Sequence, residues 1–272
     1  MQKTFTLIGL SILLIAGKST GFKTENKEIT KTYVHVPAKD ATHKGFYISS
    51  IEITNKQYRD FLNDLKAKGE NDKLKRAMID TSIQKTFLPN VSPSVADYFF
   101  SSAKNNYPVV NVTEEGALLY CDWLTEKYNL AAKIKVRFTL PNEDQWTTAA
   151  QGGDTHALYP WKGNSLTIET RSSEQVDICN YKHQAITGKT YSNNEKADIT
   201  APSLSYTPNA YGIYNMAGNV AEIIVGASYT KGGSWVTTYD KITIASHEDY
   251  PDKAHSAPTI GFRPIMLVPD GE

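Results

Sequence analysis

Few residues in this chain carry side chains suited to covalent or metal chemistry. There are two cysteines, Cys121 and Cys179, and six histidines, His35, His43, His156, His183, His247 and His255. No C-x-x-C pair and no H-x-x-x-H pair is present, so no local transition-metal motif stands out. His247, Glu248 and Asp249 form the densest polar cluster, yet neighbours in an extended chain point to opposite faces and need not converge. Ser234, in "KGGSWVTT" (231–238), lies in no G-x-S-x-G elbow and has no assignable base. A hydroxyl bonded to backbone at a glycine turn is its simpler role. In an exported protein the two thiols could pair. Alternatively, Cys121 is a small buried filler on an apolar helix face.

The elements that must position these residues read as helices first and loops later. "GFYISSIEIT" (45–54) alternates apolar and polar residues as a strand does. Thr54 and Gln57 form a capping box, and Tyr58, Phe61, Leu62 and Leu65 follow at helical spacing, which predicts a helix over Asn55 to Lys68. Thr113 caps a second helix with Glu114 and Glu115 in its first turn and Ala117, Cys121, Leu124 and Tyr128 on one face. Asn142 and Gln145 begin a third, with Trp146 and Ala150 packing inward and Gly152-Gly153 ending it. Beyond it, short strands are expected in "KGGSWVT", "KITIAS" and "GFRPIMLV", separated by long irregular stretches. Helices early and strand-loop structure late predict an α+β domain.

Composition narrows the classes. A chain of 272 residues with 40% hydrophobic content can bury one large core. A formal net charge of zero lacks the basic footprint of a nucleic-acid binder. Lys3 followed by the apolar run Phe5 to Ala16 reads as a secretory signal, too short to span a bilayer. Cleavage is expected between Ala16 and about Phe22, with an uncleaved anchor as the alternative and no other membrane segment. In "LIAGK" the place of a lipid-attachment cysteine is held by Lys18. The expected organisation is a signal peptide at 1–22, a flexible leader at 23–40 and one domain at 41–272, exported to the periplasm or cell surface.

Seven segments in order carry a family resemblance. They are "SSIEITNKQYRDFL", "YPVVNVTEEGALLYCDWL", "VRFTLPNEDQWTTAAQGG", "YPWKGN", "NAYGIYNMAGNVAEI", "KGGSW" and "GFRPI". Together they resemble the formylglycine-generating enzyme, or sulfatase-modifying factor, family over about Phe46 to Met266. The resemblance implies an elaborated C-type-lectin-like fold, loop-rich and with little regular secondary structure. The insertion "LKAKGENDKLKRAMIDTSIQ" (65–84) looks like exported Bacteroidetes members, including gliding-motility and type 9 secretion relatives.

The resemblance also says what is missing. The family's oxidase reaction uses two cysteines after the glycine turn to hold copper and the substrate thiol, chemistry that needs a soft, low-pKa sulfur. Aligned on "GGSW", those positions are Thr237 and Ile242. No copper is expected, and the formylglycine oxidase reading is set aside. The iron-dependent branch needs histidines from an additional helical domain for which this chain has no room. Family members also hold structural Ca²⁺, whose hard oxygen ligands irregular loops can supply. One matching set is Asn215, Gly218, Val220 and Glu222; the other is Asn180, Tyr181, Glu195 and Ala197. Ala221 stands where the family has tryptophan, a departure that bears on local packing.

Three functions follow. The first is a non-catalytic binding or assembly module in the cell envelope. In some relatives the stretch between "GGSW" and "GFR" is a ligand-binding face. Here Trp235, Thr237, Tyr239, His247, Glu248 and Tyr250 would meet a protein or glycan, with Asp252 and His255 nearby. The second is a structural envelope component; the third is an oxidoreductase using a site without cysteine.

Overall fold

The structure, a computed structural model, describes residues 32–40, 42–81, 95–182, 200–250 and 256–269. The signal, the first half of the leader (23–31), His183, Glu195, Ala197, Asp252 and His255 lie outside the described residues. The second half of the expected leader holds the strand Tyr33–Val36, which pairs with Phe46–Ser49, so the domain starts before residue 41.

The fold is α+β, with short elements set in long loops. Helix α1 (Asn55–Lys68) begins at the predicted capping box, Thr54 accepting from the Gln57 amide and Gln57 returning, and ends on Gly69 in the left-handed conformation. It buries Tyr58, Phe61, Leu62 and Leu65. Two shorter helices follow, α2 (Asn71–Ala77) and α3 (Val95–Phe100). Helix α4 (Glu114–Asn129) is capped by Thr113 as expected. Its buried face is rotated from the predicted one: Tyr120 and Trp123 join Ala117, Cys121 and Tyr128, and Leu124 is only half-buried. Aromatic bulk decides this face, since Tyr58 stacks on Tyr120 and Phe61 meets Trp123. Helix α5 (Glu143–Gln151) carries the second capping box and buries Trp146 and Ala150.

Two four-stranded sheets complete the core. Strands β1 (Tyr33–Val36), β2 (Phe46–Ser49), β10 (Ile265–Leu267) and β3 (Arg137–Thr139) lie antiparallel in that order. In the second, β8 (His247–Asp249) pairs β7 (Tyr229–Lys231), which pairs β6 (Ala221–Ile223), and β9 (Ile260–Gly261) runs parallel to β6. A separate hairpin joins β4 (Thr167–Glu169) to β5 (Gln175–Asp177). Among the described residues no helix is long and apolar enough to cross a membrane.

Three strand expectations change. "GGSW" is a turn beyond β7, because positive φ at Gly232 and Gly233 breaks the extended chain. "KITIAS" forms no strand: a 3-10 turn (Tyr239–Lys241) enters it, and Ile242 and Ile244 are buried by surrounding loops. The strand β2 stops at Ser49, well short of Thr54.

Candidate functional site

The glycine turn is where the sequence places any chemistry, and its geometry is tight. Gly232 and Gly233 have φ of 87° and 66°. A Cβ on Gly232 would stand 3.2 Å from the Trp146 ring. One on Gly233 would stand 2.9 Å from Ile242 Cγ2 and 3.0 Å from Thr237 Cγ2. Only glycine fits, and the two positions aligned with the family's cysteines converge on it.

Neither position offers a soft donor. Ile242 is fully buried and packs with Tyr159, Cys179, Tyr181 and Ala217. The Thr237 hydroxyl donates to the Glu248 carboxylate and accepts from the Ser234 amide at 2.8 Å. The Ser234 hydroxyl lies 3.1 Å from it, and the Thr237 amide returns to the Ser234 carbonyl. This closed cycle ties the turn to β8. Ser234 is fully buried and acts as a backbone-locking residue.

The expected ligand face contracts accordingly. Trp235, Thr237 and Tyr250 are buried: the Trp235 indole N–H faces the Pro258 carbonyl and Tyr250 joins the main core. Three members expected to meet a ligand are therefore scaffold in this conformation. Tyr239 and His247 are exposed and Glu248 half-buried. His247 leans on Tyr229, ring centroids 5.0 Å apart, across the β7–β8 ladder. Glu248 points to the opposite side, at Thr237. The triplet does not converge.

The described members of the two calcium sets, Asn180, Tyr181, Asn215, Gly218, Val220 and Glu222, lie close in the fold, yet their side chains are largely committed elsewhere. Asn180 lies over Gly218, where a Cβ would meet the Asn180 carbonyl oxygen at 2.2 Å, and that oxygen accepts from the Asn219 amide at 2.8 Å. Asn180 and the Gly218–Val220 segment are thus neighbours, with Tyr181 beside them in the small core of Ile242. Glu222, however, is fully buried and committed. Its oxygens accept from Arg263 Nε at 3.0 and 3.1 Å, from Arg263 Nη2 at 2.8 Å and from the Trp146 indole at 2.8 Å. A carboxylate already answering a buried guanidinium does not fit as a calcium ligand. Asn215 is also engaged, donating from Nδ2 to Glu52 and to the Ser203 carbonyl, each at 3.0 Å.

Glu52 is the residue the sequence reading missed. It is fully buried, and its second oxygen accepts from Asn219 Nδ2 at 2.9 Å. Burial pushes its pKa up to about 7; Arg263 and the two asparagines pull it down, and Glu222 pushes it up. The Arg263 guanidinium is bonded to Glu222 and acts on Glu52 only through its field. The sequence hint was an acid between Ile51 and Ile53, where a strand's alternation would leave it exposed.

The cysteines contribute nothing here. Both are buried and free, so the disulfide alternative is not realised, and burial drives both thiols well above their usual range. No group of three or more His, Cys, Asp or Glu among the described residues could hold a metal ion.

With this geometry in view, residues 8–267 match the sulfatase-modifying factor enzyme 1-like domain. The chain belongs to that family. The formylglycine-generating enzyme of Mus musculus is 25% identical over 205 residues, which cover 68% of this chain and 50% of the mouse protein. The inactive C-alpha-formylglycine-generating enzyme 2 of Bos taurus is 25% identical over 236 residues, 75% of this chain and 70% of its own. The chain spans about half the length of the mouse enzyme it matches. Among solved structures, PvdO from Pseudomonas aeruginosa superposes with a TM-score of 0.55 at 17% identity, covering 87% of this chain and 90% of that one. That likeness carries the fold alone. Relatives of this sulfatase-modifying factor domain thus include proteins named as active and as inactive, and the residues around Gly233 must decide which this chain resembles.

Proposed function

We propose that this chain is an exported, non-catalytic binding or assembly module of the cell envelope. The observation that carries the non-catalytic reading is the pair of side chains on Gly233. Thr237 is bonded to Glu248, Ile242 is buried hydrocarbon, and neither supplies the sulfur that a copper-thiolate reaction needs. Cys179 packs beside Ile242, but its thiol is buried and held protonated. Export rests on the apolar run Phe5 to Ala16 after Lys3. Mass spectrometry of the protein from fractionated cells reads it: an N-terminus near Gly21 in the envelope or periplasm supports export, and an intact N-terminus in the cytoplasm removes it.

The catalytic test incubates purified protein with Cu(I), oxygen and a CxPxR peptide, and follows formylglycine by mass. No turnover above background is expected. Turnover that needs the peptide cysteine would end the non-catalytic reading. The double variant Thr237→Cys/Ile242→Cys gives the converse. It should take up Cu(I) that the parent does not, because both positions face the same glycine.

A further inference from the structure

The loop after the glycine turn is fastened on both sides, and what it presents is not neutral. The Ile244 amide donates to the Leu158 carbonyl at 3.0 Å, and the Lys182 amide to the Thr237 carbonyl at 2.9 Å. The Tyr159 hydroxyl reaches the Tyr239 carbonyl at 3.5 Å. Beneath lies the small core of Tyr159, Cys179, Tyr181, Ala217 and Ile242, with Trp161 packed against it. The Trp161 ring stacks on Tyr159, centroids 4.9 Å apart and planes 4° from parallel, and its indole N–H is spent on the Ser165 carbonyl. Half-buried Trp161 and exposed Tyr239 therefore border the same residue, Tyr159, on a preorganised base.

The charges around this shelf lean positive. Lys162 follows Trp161, Lys182 bridges to Thr238, and Lys241 ends the turn that Tyr239 begins. All three are exposed, and none forms an ion pair among the described residues. Two acids stand against them: Asp240 in the same turn, accepting from the Thr238 hydroxyl at 2.7 Å, and Asp177 at the end of β5, near enough to Cys179 and Tyr181 to act on both.

We propose that Trp161 and Tyr239, with Lys162, Lys182, Lys241 and Asp240, bind an acidic polysaccharide. This deepens, and rests on, the reading of the chain as a binding module. Sugar rings present an apolar C–H face, which suits the Trp161 ring, whose N–H is engaged with Ser165, and the exposed Tyr239 ring. Ammonium groups answer carboxylate or sulfate substituents, and Asp240 retains lone pairs to accept sugar hydroxyls. Aromatic rings beside lysines also suit a single-stranded nucleic acid. A chain of zero net charge lacks the wider basic field such a ligand needs, and Asp240 would repel its phosphates.

The test measures binding of the full chain to polygalacturonate, alginate, neutral dextran and a single-stranded DNA oligomer by calorimetry. Acidic polymers should bind, more weakly as salt rises, and dextran at least tenfold less. Tyr239→Ala, and separately Lys162→Gln/Lys182→Gln/Lys241→Gln, should each weaken binding at least tenfold with unchanged melting curves. Phe100→Ala, at an exposed apolar residue on α3, should leave binding intact. Failure of all acidic polymers to bind, equal binding of dextran, stronger binding of DNA, or indifference to both sets of variants would overturn the proposal. The formylglycine assay is independent. Silence there with no polysaccharide bound removes only this ligand class, whereas turnover there removes the non-catalytic reading itself.

Discussion

The two sides of the Gly232-Gly233 turn have been kept for different reasons. Behind it, Gly232 packs on Trp146, which hydrogen-bonds Glu222, which holds Arg263, whose other nitrogens donate to the Ser49 and Tyr214 carbonyls. Ahead of it, Gly233 faces a threonine and an isoleucine. The first side is a buried charged frame that ties β2, α5, β6 and the chain before β10 to one guanidinium. Losing Glu222 or Arg263 strands a buried charge, so the frame is required whatever the protein does. The second side holds the two positions where the family's reaction places sulfur, filled in this chain by a hydroxyl and a hydrocarbon side chain. Here Thr237 fastens the turn to β8 through its hydroxyl, and Ile242 fills the small core behind it.

The sharpest break of this comparison is Glu222→Gln. It leaves Arg263 buried against a neutral amide, and the expected loss is about 3–5 kcal/mol in urea unfolding. The loss should be the same with excess Ca²⁺ and with EDTA, because the carboxylate serves Arg263. A loss present only in Ca²⁺ would make Glu222 a metal ligand after all. Any fall in melting temperature of the parent protein in EDTA would then have to come from other oxygen ligands, Asn180 and the carbonyls near it among them.

Next in size is the pH dependence set by Glu52. Its folded-state value of about 7 lies above the ordinary 4.5, so the native state holds the proton more tightly than the unfolded chain. The Glu52 contribution, read in EDTA as the difference between the parent and Glu52→Gln, should be largest below about 4.5, fall as the pH climbs to about 7, and level off beyond. The span is roughly 3 kcal/mol at ~1.4 kcal/mol per pH unit. Carboxylates held below their usual range, such as Glu143 and Asp64, lose stability on acidification with the opposite sign. Glu52→Gln should be more stable than the parent at pH 8. A parent that gains stability between pH 5 and 7 in step with its Glu52 signal would contradict the assignment.

Much of the frame was legible, and little of the site was. Both capping boxes could be read residue by residue, because a cap is a contact between positions three apart. The glycines were legible as a turn, but the strand expected through them ends at Lys231, and what crowds the turn comes from distant segments. Glu52 and its asparagines were not legible, because Asn215 and Asn219 lie more than 160 positions away and nothing local marks a buried acid. Trp235 and Tyr250 misled for a related reason. Aromatic residues in a loop suit a ligand face and a core equally, and burial by distant segments decides between them. The "KITIAS" alternation was real but served loops, with Ile242 and Ile244 inward and Lys241 outward.

The smallest effects lie ahead of the turn and test whether that side is scaffold, surface or both. Thr237→Ala removes a hydroxyl that joins the Ser234 amide to Glu248, leaving a buried N–H without its partner, and should cost about 1–2 kcal/mol. Thr237→Ser keeps the hydroxyl and should recover most of that loss, which a purely steric role would not allow. Tyr239→Ala, two residues on, removes an exposed ring and should change stability by no more than about 0.5 kcal/mol. The contrast between these neighbours is what matters. If Tyr239→Ala proved as costly as Thr237→Ala, the tyrosine would be part of the packing over Tyr159. A ligand would then meet the loop elsewhere, on the exposed edge of β8 at His247.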